Sequence, residues 1–559
     1  MFRYCLPLLL LLACSPPKPT QADSAYPTET PAQPNILWIV AEDLSPVIPS
    51  FGDSTVQTPN ISRLVAEGVR YTNVYSPSGV CAPSRAALAT GMYPSSISAN
   101  HMRTGPWYIE LPPPILKEHI ARSAKFMPEG LYPYEAVPPV EVKMHGEVMR
   151  RLGYYCTNNA KEDYQFRKTL TAWDDCSRTA HWRNRPEGKP FFSIFNIEVT
   201  HESRIWVKAQ DSLWIDADLA VPIPPYLPDT EIAKRDVRRM YSNIKEMDHR
   251  VGEILAELEE DGLLENTVIF WYSDHGGPLP RQKRLMHDSG LRVPMAIRFP
   301  NQAFAGTTDD RLISFIDFMP TIMSLAGEPT PDYMQGQAFL GPHNAPARDY
   351  IHGAGDRFDE LYDGVRAVRD QRFKYIRHLD TTQMYYLPLN YRENMPIMQE
   401  LLRMREEEKL NPIQAQWFRL SRPAEELFDC EADPHEINNL AEDPAYGEKL
   451  AELRAECDRW LVEIDDVGLM PETELIARLQ PEGEAFRTAA TQITAEADKI
   501  SLSSQTEGAS IAYQYVHPDS NLSPSWQVYM EPIRAQEGME IATVSHRIGY
   551  LRSDTIRFK

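Results

Sequence analysis

Three stretches constrain the fold of this 559-residue chain more than any other feature. NILWIVAED (residues 35–43), FFSIFNIEVTH (191–201) and NTVIFWYSDHGG (266–277) each present a mainly apolar run and then break into charge. A strand buried on one face alternates polar with apolar, whereas a strand covered on both faces does not. These runs therefore predict strands inside a sheet with helices on either side. Glu42 and Asp43 stand at the end of the first, His201 beyond the second, and Asp274 with His275 at the end of the third. GYYCTNNAKEDY (153–164) is a weaker fourth case, followed by Lys161 and Asp163. Between the strands, Met240, Ile244, Met247, Val251, Ile254, Leu255 and Leu258 recur at steps of three and four, one apolar face of a helix whose methionines read as core packing. Strand and helix alternate, so the expected class is α/β, a mostly parallel central sheet flanked by helices. Ligands of such sheets bind beyond the carboxyl ends of the strands. Every polar cluster named above falls there.

The pattern changes near residue 347. RDYIHGAG, GVRAVRD and RFKYIRHLD read as short strands of an antiparallel sheet, and a helix is expected near KLAELRAECDRWLVEI. Residues 34–347 are thus assigned to a catalytic domain and 348–475 to a smaller α+β subdomain. A polar, helix-prone linker (476–490) leads to ASIAYQYV, SWQVYMEPI and MEIATVSHRIGYLRS, which predict a small C-terminal β-sandwich over 491–559.

MFRYCLPLLLLLACSPP has one early arginine, an apolar stretch too short to span a bilayer, and a small residue before Cys14. It reads as a bacterial lipoprotein signal (1–13), with Cys14 the lipidated first residue of the mature chain and a Pro- and Thr-rich tether (14–33) behind it. Export to the periplasm, outer membrane or cell surface follows, with the lipid as the attachment to membrane. The formal net charge of −22 argues against nucleic acid as a partner, so an anionic substrate must meet a local cluster of cations. Beyond the leader, Cys81, Cys156, Cys176, Cys430 and Cys457 make an odd number for an oxidising compartment. Some pairing is expected, with Cys81 the one left over.

GVRYTNVYS predicts a strand, PSGVCAP a loop, and SRAALATG a helix stopped by Gly91. Cys81 then sits beside a helix N-terminus, whose free N–H groups favour anions and lower the pKa of a thiol. Cys-x-Pro-Ser-Arg-x-x-Leu-x-Thr-Gly, present as Cys81, Pro83, Ser84, Arg85, Leu88, Thr90 and Gly91, resembles the signature of the formylglycine-dependent sulfatases of the alkaline phosphatase-like superfamily. The resemblance runs from about residue 34 to 475. It takes in NILWIVAED, the segment from YSNIKEMDHR to SDHGG, KRLMHDSGLRVP and EELFDCEADPHEINNLAEDP.

The resemblance implies that a maturation enzyme, the formylglycine-generating enzyme, oxidises Cys81 to 3-oxoalanine (formylglycine). Its hydrate attacks sulfur through one hydroxyl and expels sulfate by deprotonation of the other. It also implies a divalent metal held by Glu42, Asp43, Cys81, Asp274 and His275. An oxygen-rich set suggests Ca2+, with Mg2+ or Mn2+ open. Lys161 and Lys283 match sulfate-binding lysines, His201 matches the histidine that assists the leaving group, and Arg85 holds the loop from behind. Three positions depart from the family: Glu42 replaces an aspartate, His275 replaces an asparagine, and Asp163 replaces the histidine of Gly-Lys-x-His. Asp163 either acts as the base on the modified residue or orients Lys161.

For the substrate, His101, Arg103, Arg357, Asp359 and Glu360 are candidates to contact sugar hydroxyls and ring carboxylates, or to form salt bridges within their loops. The tail resembles fibronectin-III-like or chitobiase C-terminal modules. Together these features imply a sulfatase of polysaccharide degradation, acting on a sulfated glycan such as ulvan or a glycosaminoglycan. The alternatives are a phosphodiester or phosphonate monoester hydrolase of the same superfamily, and a non-catalytic glycan-binding lipoprotein.

Overall fold

The computed structural model describes residues 33–496 and 499–559. The signal segment, Cys14 and the tether through residue 32 lie outside the described residues. A nine-stranded sheet forms the centre of the chain from β1 (Asn35–Ala41), β2 (Val69–Tyr75), β3 (Tyr155–Asn159), β4 (Asp175–Cys176), β5 (Phe191–Ile197), β6 (Thr267–Ser273), β7 (Arg292–Arg298), β8 (Thr307–Asp309) and β9 (Ile313–Ser314). The order is β4-β3-β5-β1-β6-β7-β2-β8, with β9 also paired to β2. Only β7 runs against its neighbours β6 and β2, so the sheet is mixed but mostly parallel.

The apolar runs are explained by two cores, one on each face. From β1, Ile36, Trp38 and Val40 enter one core, while Leu37, Ile39 and Ala41 enter the other. β6 divides the same way, with Val268, Phe270 and Tyr272 against Ile269 and Trp271. The long helix Glu231–Glu260 covers the second face. Met240, Ile244, Met247, Val251, Ile254, Leu255 and Leu258 all belong to that core, and each such burial contributes roughly 1.5–3 kcal/mol. Thr230 caps this helix, its side chain accepting from the Ala233 N–H. Among the described residues, no helix is long and apolar enough to cross a membrane.

A second, antiparallel sheet contains β10 (Ile351–Phe358), β11 (Leu361–Arg369), β12 (Phe373–His378) and β13 (Glu425–Asp429), in that order, with the helix Gly447–Glu463 packed on it. The tail folds as two further antiparallel sheets. One holds β14 (Gln492–Glu496), β15 (Lys499–Ser503) and β18 (Ile533–Arg534). The other holds β16 (Ser510–Val516), β17 (Gln527–Val528), β19 (Glu540–His546) and β20 (Ile556–Phe558). Ile500 and Leu502 of one sheet meet Ile511 and Ile541 of the other. β14 and β15 are too polar to stand out in the sequence.

The four-stranded tail sheet is covered on its outer face too. Leu170 packs against Ala512, Val516, Trp526, Ala542 and Val544, and Ile548 enters the first core of the central sheet. At this seam the buried carboxylate of Glu147 accepts from Ser510 Oγ at 2.7 Å.

Candidate active site

β5, β1 and β6 are adjacent and parallel, and their ends are level: Ala41 pairs with Ile197 on one side and Ser273 on the other. Glu42 and Asp43, His201 and Glu202, and Asp274 and His275 therefore emerge at one rim. β3, next to β5, brings Lys161 to the same edge. Cys81 arrives from β2 and opens the helix Cys81–Thr90, with Val80 extended at its N-cap and Gly91 left-handed at its end (φ 69°). The helix starts three residues earlier than the sequence suggests. Pro83 is compatible with that start because the first turn has no intrahelical partner for its missing N–H. Arg85, one turn along, donates from Nε to Asp274 Oδ2 at 3.1 Å and from Nη1 to Asn196 Oδ1 at 2.6 Å. Ser84 Oγ donates to the Asp274 carbonyl.

The charges interlock. Lys283 Nζ lies 2.9 and 2.7 Å from the two carboxylate oxygens of Asp43 and 3.5 Å from Cys81 Sγ. His275 Nε2 lies 3.0 Å from Asp43 Oδ1 and 3.5 Å from Cys81 Sγ. Lys161 is paired with Glu42 and sits 3.5 Å from Asp163 Oδ2. Burial alone would raise the Glu42 carboxyl, but Lys161, His201 and Arg85 override it and bring its pKa down to about 2. Asp43 is held well below the usual range by Lys283, His201 and His275 against its burial. Burial disfavours a proton on His275, yet Asp274 and Asp43 hold one there up to a pKa of about 10. Burial would raise the Cys81 thiol, and Lys283 and Lys161 lower it.

A protein interior does not keep several carboxylates together without a cation. Here Asp43, Cys81, Asp274 and His275 offer donor atoms within 4.8 Å of one another, and so do Glu42, Asp43, Cys81 and His201. Glu42 Oε2 is buried with no hydrogen-bond partner. These residues fit a divalent metal, since carboxylates, an imidazole and residue 81 converge at one buried point. His201 joins this donor group although the sequence reading gave it only an acid–base role.

Cys81, Lys161, Asp163 and His201 line a cavity of about 250 Å³ that also meets Arg103 and Tyr391. The five substrate candidates separate at this point. His101 is wholly buried, its Nδ1 accepting from the Arg357 N–H. Arg357 is ion-paired with Glu472 in the helix Glu472–Leu479. Asp359, also wholly buried, bridges Arg103 and Arg284. Glu360 accepts from the Asn390 N–H at 2.6 Å. Of the five, Arg103 alone lines the cavity.

Glu202, Arg284 and Tyr391 escaped the sequence reading. The Glu202 N–H donates to Asp43 Oδ2 at 2.7 Å, and its carboxylate receives Arg284 at 2.9 Å through both terminal nitrogens while lying 3.3 Å from Lys283. Glu202 and Arg284 are neighbours in sequence of His201 and Lys283, and that adjacency is the signal the sequence offers. Tyr391 lies some 190 residues from His201 in the chain and carries no local mark. Cys81 is unpaired as expected, but the pairing expected among the other cysteines is absent from the described residues. None of the five described cysteines is in a disulfide. In the β3–β4 register Cys176 stands opposite Asn158, not Cys156.

A mostly parallel sheet with carboxylates and histidines at its rim, facing a nucleophile at a helix start, defines a hydrolase of the alkaline phosphatase-like class. The sulfatase family model matches residues 34–328, and the C-terminal model of N-sulphoglucosamine sulphohydrolase matches 281–422. An ulvan-active sulfatase of Formosa agariphila is 48% identical over 96% of this chain and 93% of its own. Human N-sulphoglucosamine sulphohydrolase is 24% identical over 80% of this chain and 94% of its own. A structure solved with its substrate D-glucosamine-2-N,6-O-disulfate superposes with a TM-score of 0.53 at 17% identity, covering 78% of this chain and 98% of its own. The chain belongs to the sulfatase family. It is accordingly a sulfuric ester hydrolase.

Proposed function

We propose that this sulfatase removes sulfate from ulvan-type polysaccharide, using formylglycine made from Cys81 and a calcium ion held by Glu42, Asp43, Asp274 and His275. The observation that carries the reading is the meeting, at one strand rim, of Cys81 with Lys283, His275 and the carboxylates around them. The high identity to an ulvan-active sulfatase over nearly the whole length supports the substrate class.

Formylglycine supplies, as its hydrate, a hydroxyl that attacks sulfur and a second that allows sulfate to leave. A divalent cation supplies electrostatic stabilisation of the crowded sulfate oxygens. The rest falls to the chain. Lys161 and Lys283 bring fixed positive charge beside Cys81, where the transferring group gains negative charge. His201, whose pKa is raised by Asp43 and Glu42 against its burial and Lys283, lines the cavity beside Cys81 and is placed to donate to the departing sugar oxygen. Its Nδ1 is 2.8 Å from Ser203 Oγ, which leaves Nε2 for that donation. Arg85 locks the helix start against Asp274, keeping residue 81 against the cluster. Asp163 stands close enough to Lys161 to orient it.

The N-terminal composition supports export as a lipoprotein through Cys14 to the periplasm or cell surface, where an extracellular glycan is met. Maturation requires a formylglycine-generating enzyme that reads Cys81-Ala82-Pro83-Ser84-Arg85 as a linear peptide. The test is co-expression with such an enzyme, the mass of the Cys81 peptide, and sulfate release from ulvan and glycosaminoglycan oligosaccharides. Activity on ulvan oligosaccharides should scale with the modified fraction and vanish in Cys81→Ala. Full activity from protein whose Cys81 is entirely thiol would overturn the mechanism. Release only from glycosaminoglycans would overturn the substrate class.

A further inference from the structure

We propose that Arg103 reads a carboxylate on the substrate, so that the glycan accepted by this site contains a uronic acid beside or on the sulfated sugar. This rests on the reading of the site as a glycan sulfatase and narrows it. Arg103 is separated from the other substrate candidates by what it has left unbound. Its Nε is held by Asp359, which is wholly buried and is itself fixed by Arg284 Nε at 2.8 Å. Its guanidinium carbon lies 4.7 Å from the centre of the Tyr391 ring. It also lies 5.7 Å from the centre of the Phe126 ring, and these contacts set the plane of the group. Among the described residues neither terminal nitrogen has a hydrogen-bond partner, and the side chain is 29% exposed on the wall of the cavity that holds Cys81, Lys161 and His201.

A guanidinium with Nε anchored and both terminal nitrogens free is a rigid fork. It matches two coplanar acceptor oxygens, the geometry of a carboxylate, better than a lone hydroxyl. The charge that meets the sulfate ester is already supplied by Lys161 and Lys283 beside Cys81, so Arg103 has no duty toward the reacting group. Trp107, 47% exposed, joins the same wall and offers a flat apolar face to a sugar ring.

The experiment uses matched sulfated oligosaccharides, one with its uronic carboxylate intact, one with it reduced to the alcohol, and one carrying a second sulfate in its place. The fully modified, metal-loaded enzyme should prefer the acid over the alcohol by about 10- to 100-fold in kcat/KM, the range of a charge-assisted hydrogen-bonded pair. Arg103→Ala should bring that ratio close to one, chiefly through KM for the acid. Arg103→Lys, which keeps the charge and loses the fork, should restore less than a tenth of the preference. Circular dichroism and sulfate release from the reduced substrate confirm that each variant is folded. A wild-type ratio near one with sulfate still released overturns the assignment and leaves the glycan-sulfatase reading intact. So does a preference for the second sulfate, or an equal loss on acid and alcohol in Arg103→Ala. Release from neither glycan, with a small aryl sulfate still hydrolysed, overturns both.

Discussion

Asp359→Asn tests whether the buried charge chain behind the cavity is built as described. The wild-type carboxylate serves two guanidinium groups, Nε of Arg103 at Oδ1 and Nε of Arg284 at Oδ2, and burial that would raise its pKa is overridden by those two arginines. An asparagine fits the same space but offers one acceptor oxygen and turns an NH2 donor toward the other guanidinium. Arg284 keeps Glu202 as a partner, so the loss falls on Arg103, whose only ion pair among the described residues is with Asp359. Breaking a buried pair from one side costs roughly 3–5 kcal/mol. The amide retains one bond and Arg103 can rehydrate, so about 3 kcal/mol is expected. Arg103→Ala leaves Asp359 paired with Arg284 and should cost about 1–2 kcal/mol. Both substitutions remove the same contact, so the double variant should lose about 3 kcal/mol, not their sum. Urea titrations of the four proteins at neutral pH give the comparison. If Asp359→Asn costs no more than Arg103→Ala, or the double variant is additive, the shared carboxylate is not the keystone of this wall.

His145, wholly buried among Trp38, Trp173 and Phe192, is pushed by burial down to a pKa of about 3. Since its unfolded value is near 6.5, only the unfolded chain takes up that proton between the two pKa values. Stability should therefore fall as pH drops below about 6.5, by roughly 2 kcal/mol from this group at pH 5. His145→Phe should lack that share of the slope, and identical slopes in urea titrations at pH 7 and pH 5 would refute it. Gly549→Ala forces a side chain onto a residue with φ 83° and places its Cβ 2.4 Å from the Ala136 carbonyl oxygen. A loss of about 2 kcal/mol or more and faster proteolysis at the tail seam are expected, and wild-type stability would show that the seam is slack. Adding Ca2+ to chelator-treated protein should raise stability by about 2.7 kcal/mol at one hundred times the dissociation constant. That gain should disappear in Asp274→Asn, whereas indifference of the wild type to Ca2+, Mg2+ and Mn2+ would refute a metal at this rim.

The apolar runs of β1, β5 and β6 made the covered sheet legible, because alternate residues feed two cores and no polar alternation is tolerated. Their charged ends located the rim, since charge cannot remain inside such a strand. Gly91 marked the end of the helix at Cys81, because a left-handed stop is a local backbone property. The start of that helix is not legible at Pro83, because a proline is as acceptable in a first helical turn as in a loop. What surrounds a charge was beyond reach of the sequence. Arg103, His101, Arg357 and Asp359 look alike as polar residues in loops, and only the folded chain sends Arg357 to Glu472 and leaves the Arg103 fork open on the cavity. Tyr391 and the Glu147–Ser510 seam belong with them, as contacts between segments far apart in the chain. Local periodicity and caps act within a few residues and can be read from one strand of letters. The partners of a buried charge are chosen by packing across hundreds of residues, so tertiary structure alone decided them.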